Sequence, residues 1–93
     1  MSLKLFDLTG RTALITGSSR GLGRAFAEGL AGAGARVILN GVDTVRLETA
    51  AEEMRAAGHE VLTAAFDVTD EAAIIAVFER FDAQGVAVDI LVN

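Results

Sequence analysis

Residues 12–23, Thr12-Ala-Leu-Ile-Thr-Gly17-Ser-Ser-Arg-Gly21-Leu-Gly23, pass from an apolar run through a glycine-rich turn into a segment of helical period. The run Thr12 to Thr16 (TALIT) does not alternate polar with apolar, and a strand without alternation is one covered on both faces, as in a parallel sheet between layers of helices. Three later runs have the same character: Arg36 to Asn40 (RVILN), Glu60 to Ala65 (EVLTAA) and Asp89 to Asn93 (DILVN).

Between the runs lie three helical segments. In the first, Leu22, Ala25, Phe26, Gly29, Leu30 and Ala33 make one apolar stripe. The second opens at Asp43 as N-cap, places Leu47, Ala50, Ala51 and Met54 on one face, and stops at Gly58. The third takes Thr69 as N-cap, sets Asp70 and Glu71 at the positive end of the helix dipole, carries Ile74, Val77, Phe78 and Phe81 inward, and stops near Gly85. All three read as amphipathic and capped. Strand and helix thus alternate as β-α-β-α-β-α-β, a doubly wound α/β sheet, and right-handed crossovers predict the strand order 3-2-1-4. No linker or repeat divides residues 1–93, which read as part of one domain. The chain stops inside the fourth strand, so the domain reads as cut, with that strand left as an apolar edge.

The turn is the chemically informative stretch. Ligands of open parallel sheets bind outside the carboxyl ends of the strands, and helix N-termini present unpaired N–H groups and partial positive charge to anions. Gly17 permits a tight exit from the strand, Gly21 the close approach of a pyrophosphate, and Gly23 close helix-to-strand packing. The spacing is G-x-x-x-G-x-G. It is not a P-loop, because no Gly-Lys-Ser/Thr follows.

Composition narrows the chemistry. The 93 residues are 52% hydrophobic, 23% charged and 5% aromatic, with no Cys, Trp, Tyr or Pro. Disulfides, thiolate metal sites, cysteine nucleophiles and tyrosine proton transfer are excluded within this chain, and no metal site is expected. Lys4 and His59 are its single lysine and histidine, and His59 reads as a solvated loop residue. The net charge of -5, from 13 acidic and 8 basic residues with the arginines scattered, argues against nucleic acid as a partner. The start lacks a signal-peptide core and every later apolar run is too short to span a bilayer. No membrane association and a cytoplasmic location are therefore expected.

Thr16-Gly-x-x-x-Gly-x-Gly23, Asp67-Val68 after the third strand, and Asp89-Ile-Leu-Val-Asn93 together resemble three successive landmarks of the short-chain dehydrogenase/reductase family, whose fourth strand usually continues as Asn-Asn-Ala-Gly. Within the family, Leu5-Phe6-Asp7-Leu8-Thr9-Gly10-Arg11, the Gly17–Arg24 turn and Ile38-Leu39-Asn40-Gly41 resemble most the gluconate 5-dehydrogenase branch. The resemblance implies the N-terminal part of an NAD(P)-binding Rossmann-type domain. Gly17, Ser18, Arg20, Gly21, Leu22 and Gly23 would line the adenosine and pyrophosphate part of the cofactor. Asp67 would accept from the adenine amino group, the Val68 backbone would fix the ring, and Asn93 would lie near the adenine ribose. Two plainer readings stand beside these: Asp67 as the cap of the following turn, and Asn93 as a frayed terminus.

Cofactor choice turns on the end of the second strand. An acidic side chain there suits the ribose 2′-OH of NAD, and a basic one suits the 2′-phosphate of NADP. Gly41 offers no carboxylate, Val42 stands where NADP-preferring relatives often carry Arg, and Arg20 supplies one cation. NADP is the expected cofactor, with NAD open. The family's serine, tyrosine and lysine chemistry is missing, so no catalytic residue is assigned in this chain, which alone is expected to be inactive. A full-length parent would transfer hydride between the nicotinamide and a small hydroxy or keto substrate, a polyol or sugar acid such as gluconate, and would form a homo-oligomer. A truncated, non-catalytic nucleotide-binding remnant is the alternative. Less favoured is a phosphorelay receiver domain with Asp67 as its aspartate, since Thr16 and Gly17 stand where it needs two acids. A methyltransferase is weakened by Gly41.

Overall fold

The computed structural model describes residues 7–93. Lys4, and the Leu5-Phe6 part of the Leu5–Arg11 run, lie outside the described residues. The elements follow the expected order: β1 (Thr12–Ile15), α1 (Gly21–Gly32), β2 (Arg36–Gly41), α2 (Thr44–Ala56), β3 (Val61–Ala65), α3 (Glu71–Ala83) and β4 (Ile90–Val92). All strand pairs are parallel, and the sheet order is β3-β2-β1-β4. This is the expected arrangement, in which β1 is flanked by both β2 and β4, with Ala13 opposite Val37 on one side and Ile90 on the other.

The uninterrupted apolar runs are explained by two cores, one on each face of the sheet. Ala13, Ile15, Val37 and Leu39 point to the side packed by Ala27 and Ala31 of α1 and by Leu47, Ala50, Ala51 and Met54 of α2. Leu14, Ile38 and Ala64 point the other way, onto Val77 and Phe81 of α3. Leu14, Ile38 and Leu39 are at most 1% exposed. Each such side chain stabilises the fold by roughly 1.5–3 kcal/mol.

The helices correct the sequence reading in several places, and one is Phe78 of α3, expected inward but 37% exposed, with Val77 and Phe81 alone buried on that helix. First, α1 buries Ala27 and Ala31 and half-buries Gly23 and Leu30, whereas Leu22 and Phe26 of the expected stripe are 73% and 50% exposed. The small residues win because they let the helix axis approach the sheet, which bulkier side chains would hold off. Second, α3 is capped by Asp70, whose Oδ1 accepts from the Ala73 N–H at 3.1 Å. Thr69 is drawn away from that task by hydrogen bonds to Asp67. Third, α1 has no side-chain cap, because its N-cap residue is Arg20, which carries no short acceptor. The second helix follows expectation, with Asp43 Oδ1 accepting from the Arg46 N–H at 3.1 Å and all four predicted core residues buried. Gly58 and Gly85 follow the ends of α2 and α3 with positive φ.

At its start β4 is fastened to β1 by side chain and main chain: Asp89 Oδ2 accepts from the Thr12 N–H, and the Asp89 N–H donates to the Thr12 carbonyl, both at 2.9 Å. Among the described residues β4 pairs with β1 alone, and Leu91 is 55% exposed. No described helix is long and apolar enough to cross a membrane.

Candidate functional site

The carboxyl ends of β1, β2 and β3 and the loops that leave them enclose a cleft of about 430 Å³. Its lining comes from the β1 turn (Thr16, Gly17, Ser19, Arg20), the end of β2 and start of α2 (Asn40, Gly41, Val42, Asp43, Arg46), and the β3 exit (Phe66, Asp67, Val68).

The turn is built by backbone requirements that only glycine meets. Gly17 has φ 59°, the left-handed region that reverses the chain straight out of β1. At Gly23 an added Cβ would strike the Gly17 carbonyl oxygen and come within 2.9 Å of its carbon and 3.0 Å of Ser18 Cα. The first turn of α1 therefore lies directly against the glycine turn. No side-chain cap and no acidic residue meets its first N–H groups, while α2 and α3 are each capped by an aspartate. The positive end of the α1 dipole is left open to an anion.

Ser18 holds the turn from inside. It is fully buried, its hydroxyl donates to the Ile15 carbonyl at 2.6 Å and accepts from the Asn40 N–H at 2.9 Å, and its own N–H donates to the Asn40 carbonyl at 2.8 Å. Asn40, 2% exposed, extends the same network. Its Oδ1 accepts from the Gly17 N–H, and its Nδ2 donates to the carbonyls of Ala64 and Phe66, all at 3.0 Å. One amide side chain thus sets the distance between the glycine turn and the β3 exit, the two opposite walls of the cleft.

On the β3 wall Asp67 is exposed, and its Oδ1 accepts from the Thr69 hydroxyl at 2.7 Å and the Thr69 N–H at 2.8 Å. These bonds, the hydroxyl's first, hold its carboxyl below the usual carboxylate range. The turn-capping reading of Asp67 is therefore realised on Oδ1, while Oδ2 has no protein partner among the described residues. Val68 is 52% exposed beside it.

Of the residues singled out from the sequence, Gly17, Arg20, Asp67 and Val68 line this cleft together. Gly21, Leu22 and Gly23 form the first turn of α1 next to it, and Ser18 supports it from beneath. Asn93 is exposed one residue past β4 and outside the lining. Sequence reasoning missed Ser19, Asn40, Phe66 and Arg46 as cleft residues. A signal for Asn40 existed, since a lone amide ending an apolar strand must find buried partners. Arg46 offered only its place three residues after the α2 cap.

The strand order, the uncapped helix after a glycine turn, and a cleft at the carboxyl ends of the strands define a Rossmann-type domain. The chain belongs to the short chain dehydrogenase family, whose model matches residues 11–93. It is 44% identical over 89 residues to gluconate 5-dehydrogenase of Gluconobacter oxydans, covering 96% of this chain and 35% of that protein. A solved structure of gluconate 5-dehydrogenase from Burkholderia cenocepacia, in complex with NADP and tartrate, superposes with a TM-score of 0.88 at 42% identity, covering 98% of this chain and 36% of the other. A protein of Agrobacterium tumefaciens provisionally described as a gluconate dehydrogenase superposes at 0.91 with 60% identity over 92% of this chain and 34% of its own. The chain spans about a third of the length of these relatives.

These findings set the receiver alternative aside, and the sheet gives the physical reason. A receiver domain has the order 2-1-3-4-5, with β1 between β2 and β3. Here β3 lies outside β2 and β4 occupies the other side of β1.

Proposed function

We propose that this chain forms the adenosine- and pyrophosphate-binding part of an NADP-dependent short-chain oxidoreductase. In its full-length form the enzyme interconverts a hydroxyl and a carbonyl on a sugar acid or polyol, with gluconate and 5-ketogluconate as the leading pair. The observation that carries this reading is the convergence of three strand exits on one cleft beside the open N-terminus of α1. The relatives that act on gluconate, and the NADP held by the Burkholderia protein, support the choice of substrate and cofactor. A cytoplasmic, homo-oligomeric full-length protein belongs to the same reading.

The residues present fit such a cofactor. A pyrophosphate suits the first N–H groups of α1, which no side chain caps. Asp67, held ionised by Thr69, keeps Oδ2 for the adenine amino group, and Val68 offers an apolar contact to the ring. Ser18 acts through the turn that it holds, not by touching the ligand. Asn93 lies outside the cleft lining but follows Val92, whose carbonyl accepts from the Thr16 N–H at 2.9 Å, and would meet the cofactor from the β1–β4 side. In a sheet of this order the crevice between β1 and β4 is where the order of winding reverses, all strands staying parallel, and the nicotinamide half of the dinucleotide would extend there. The bound cofactor would supply the hydride. Proton transfer to the substrate oxygen needs a group this chain lacks, and is assigned to the tyrosine, lysine and serine of the full-length enzyme.

Calorimetric titration of the full-length protein and of residues 1–93 with NADP and NAD tests the reading. NADP is expected to bind the full-length protein more tightly than NAD, and the 93-residue chain is expected to show no turnover of gluconate or 5-ketogluconate. A well-folded full-length protein that binds neither dinucleotide would refute the cofactor site.

A further inference from the structure

The chain holds two asparagines, and Asn40 is the one followed by glycine. An Asn-Gly pair carries its own chemistry. The glycine backbone nitrogen, unshielded by any Cβ on its residue, can attack the asparagine Cγ and expel the side-chain nitrogen as ammonia. The structure blocks this reaction. Asn40 and Gly41 lie in the extended backbone of β2, in register with Ala64 and Ala65 of β3, and both are buried. The carboxamide is fixed by three bonds, Oδ1 accepting from the Gly17 N–H and Nδ2 donating to the Ala64 and Phe66 carbonyls. Both partners of Nδ2 are acceptors, so nothing in this network protonates the nitrogen that must leave. The Asn40 N–H is held by the Ser18 hydroxyl at 2.9 Å, and the Asn40 carbonyl by the Ser18 N–H at 2.8 Å. The residue is thus pinned by side chain and main chain at once.

We propose that Asn40-Gly41 is a deamidation site locked by the fold, which reacts when the stitch between the glycine turn and β2 opens and then disables the cleft irreversibly. Once the bonds to Ser18, Gly17 and the β3 carbonyls are released, the Gly41 nitrogen bonds to Asn40 Cγ and gives up its proton to solvent. The Cγ–Nδ2 bond breaks with loss of ammonia, leaving a cyclic succinimide. Water then adds to either ring carbonyl and opens it to aspartate or isoaspartate. The net change converts an amide and water to an acid and ammonia, with no oxidant or reductant. Neither product rebuilds the lock. A carboxylate at position 40 has no hydrogen for the Ala64 and Phe66 carbonyls and sets negative charge against them. Isoaspartate also adds a carbon to the β2 backbone, which displaces Gly41 and the residues beyond it in the ladder. Molecules that open are therefore marked permanently at the residue that spaces the two walls. The inference goes beyond the cofactor reading and uses it in one arm of the test only.

The test incubates the full-length protein at mildly alkaline pH, folded and in denaturing urea, and follows the peptide 37–46, released by cleavage after Arg36 and Arg46, by mass spectrometry. In urea, position 40 is expected to deamidate well ahead of Gln84-Gly85, the corresponding glutamine pair, whose ring is larger and slower to close. The folded protein is expected to react at least about a hundredfold more slowly, because the pair is reached only from a sparsely populated open state. Ser18→Ala removes the hydroxyl held between the Ile15 carbonyl and the Asn40 N–H, and should speed the folded-state reaction about tenfold without changing the rate in urea. Sub-denaturing urea applied to the unsubstituted protein should raise the rate in the same way, so the comparison does not depend on that variant folding. Gly41→Ala, whose Cβ needs only the Ser19 hydroxyl at 3.2 Å to give way, should lose most of the reactivity in urea. NADP at about a hundred times its Kd should slow the folded-state reaction about a hundredfold, since the open form lacks the cleft. Any of three results overturns the proposal: equal rates folded and in urea, position 40 no faster than position 84 in urea, or bound NADP that leaves the folded-state rate unchanged. A protein that binds neither dinucleotide refutes the cofactor site alone, and the urea and Ser18→Ala comparisons then decide the deamidation site.

Discussion

Replacing Asn40 by alanine removes the side chain that sets the width of the cleft. Three hydrogen bonds are lost, to the Gly17 N–H and to the Ala64 and Phe66 carbonyls. The Gly17 N–H can be rehydrated, because Gly17 is exposed. The two carbonyls belong to buried residues, and each unsatisfied one costs about 1–3 kcal/mol. The expected loss is therefore about 3 kcal/mol, which lowers the urea midpoint of the full-length protein by roughly 1 M. Asn40→Asp sharpens the test. Its carboxylate still accepts from Gly17 but directs negative charge at two carbonyl oxygens, so its folded-state pKa must rise above the unfolded value near ~3.9. Stability is then lost as pH rises through that raised pKa and recovered in acid, where the protonated carboxyl donates one of the missing bonds. At neutral pH Asn40→Asp should be less stable than Asn40→Ala, and the order should narrow or reverse towards pH 4. Urea unfolding followed by circular dichroism at several pH values measures both. An Asn40→Ala loss under about 0.5 kcal/mol, the range of neutral surface changes, would show that the amide is not the spacer described here.

Three further outcomes are expected. Gly23→Ala forces a Cβ onto the Gly17 carbonyl, so α1 must back away from the turn; the variant should lose NADP affinity more than about tenfold along with at least ~1–3 kcal/mol of stability, read by titration and urea unfolding. Gly41→Asp sets a carboxylate against Ser19 at the end of β2, where it would accept from a ribose hydroxyl and repel a phosphate, and should invert the preference from NADP to NAD, with the ratio of the two affinities as the readout. Thr69→Val deletes the larger of the two bonds that hold the Asp67 carboxyl low, so a carbon-detected NMR titration should find the Asp67 pKa moved up towards the ordinary range; an unmoved pKa contradicts the cause given.

The strand runs were legible because burial on two faces leaves no alternation, and the sheet order followed from handedness once four strands and three crossovers were in place. The roles of Gly17 and Gly23 were legible for a similar reason, since few residues satisfy a reversed φ or a backbone-to-backbone contact. The inward face of α1 was not. Leu22 and Phe26 make the stronger hydrophobic stripe, but the contact of Gly23 with Gly17 fixes how close the helix comes, and at that distance the small Ala27 and Ala31 sit beneath it with Leu30 packed at the margin. The α3 cap slipped by one residue because Thr69 and Asp70 are both competent caps, and Asp67, two residues before Thr69, decides between them. Arg46 was invisible because helical period places it on a surface, and a single chain pattern does not reveal which surface three strand ends converge upon.

The seating of β1 also has a consequence in time. Its hydroxyl contact to Arg36 spans 24 residues, and its main-chain contact to Asp89 spans 77. Even the consecutive strands pair across a whole helix, Thr12 with Arg36 and Val37 with Val61, so every ladder requires a long loop to close first, which makes such topologies slow to form. During N-to-C synthesis the glycine turn emerges early on a strand that meets β2 long before β4 exists. The β1–β2 stitch made by Ser18 and Asn40 is thus available before the β1–β4 seam, and the adenosine side of the cleft takes shape while the opposite side of β1 still waits for its partner.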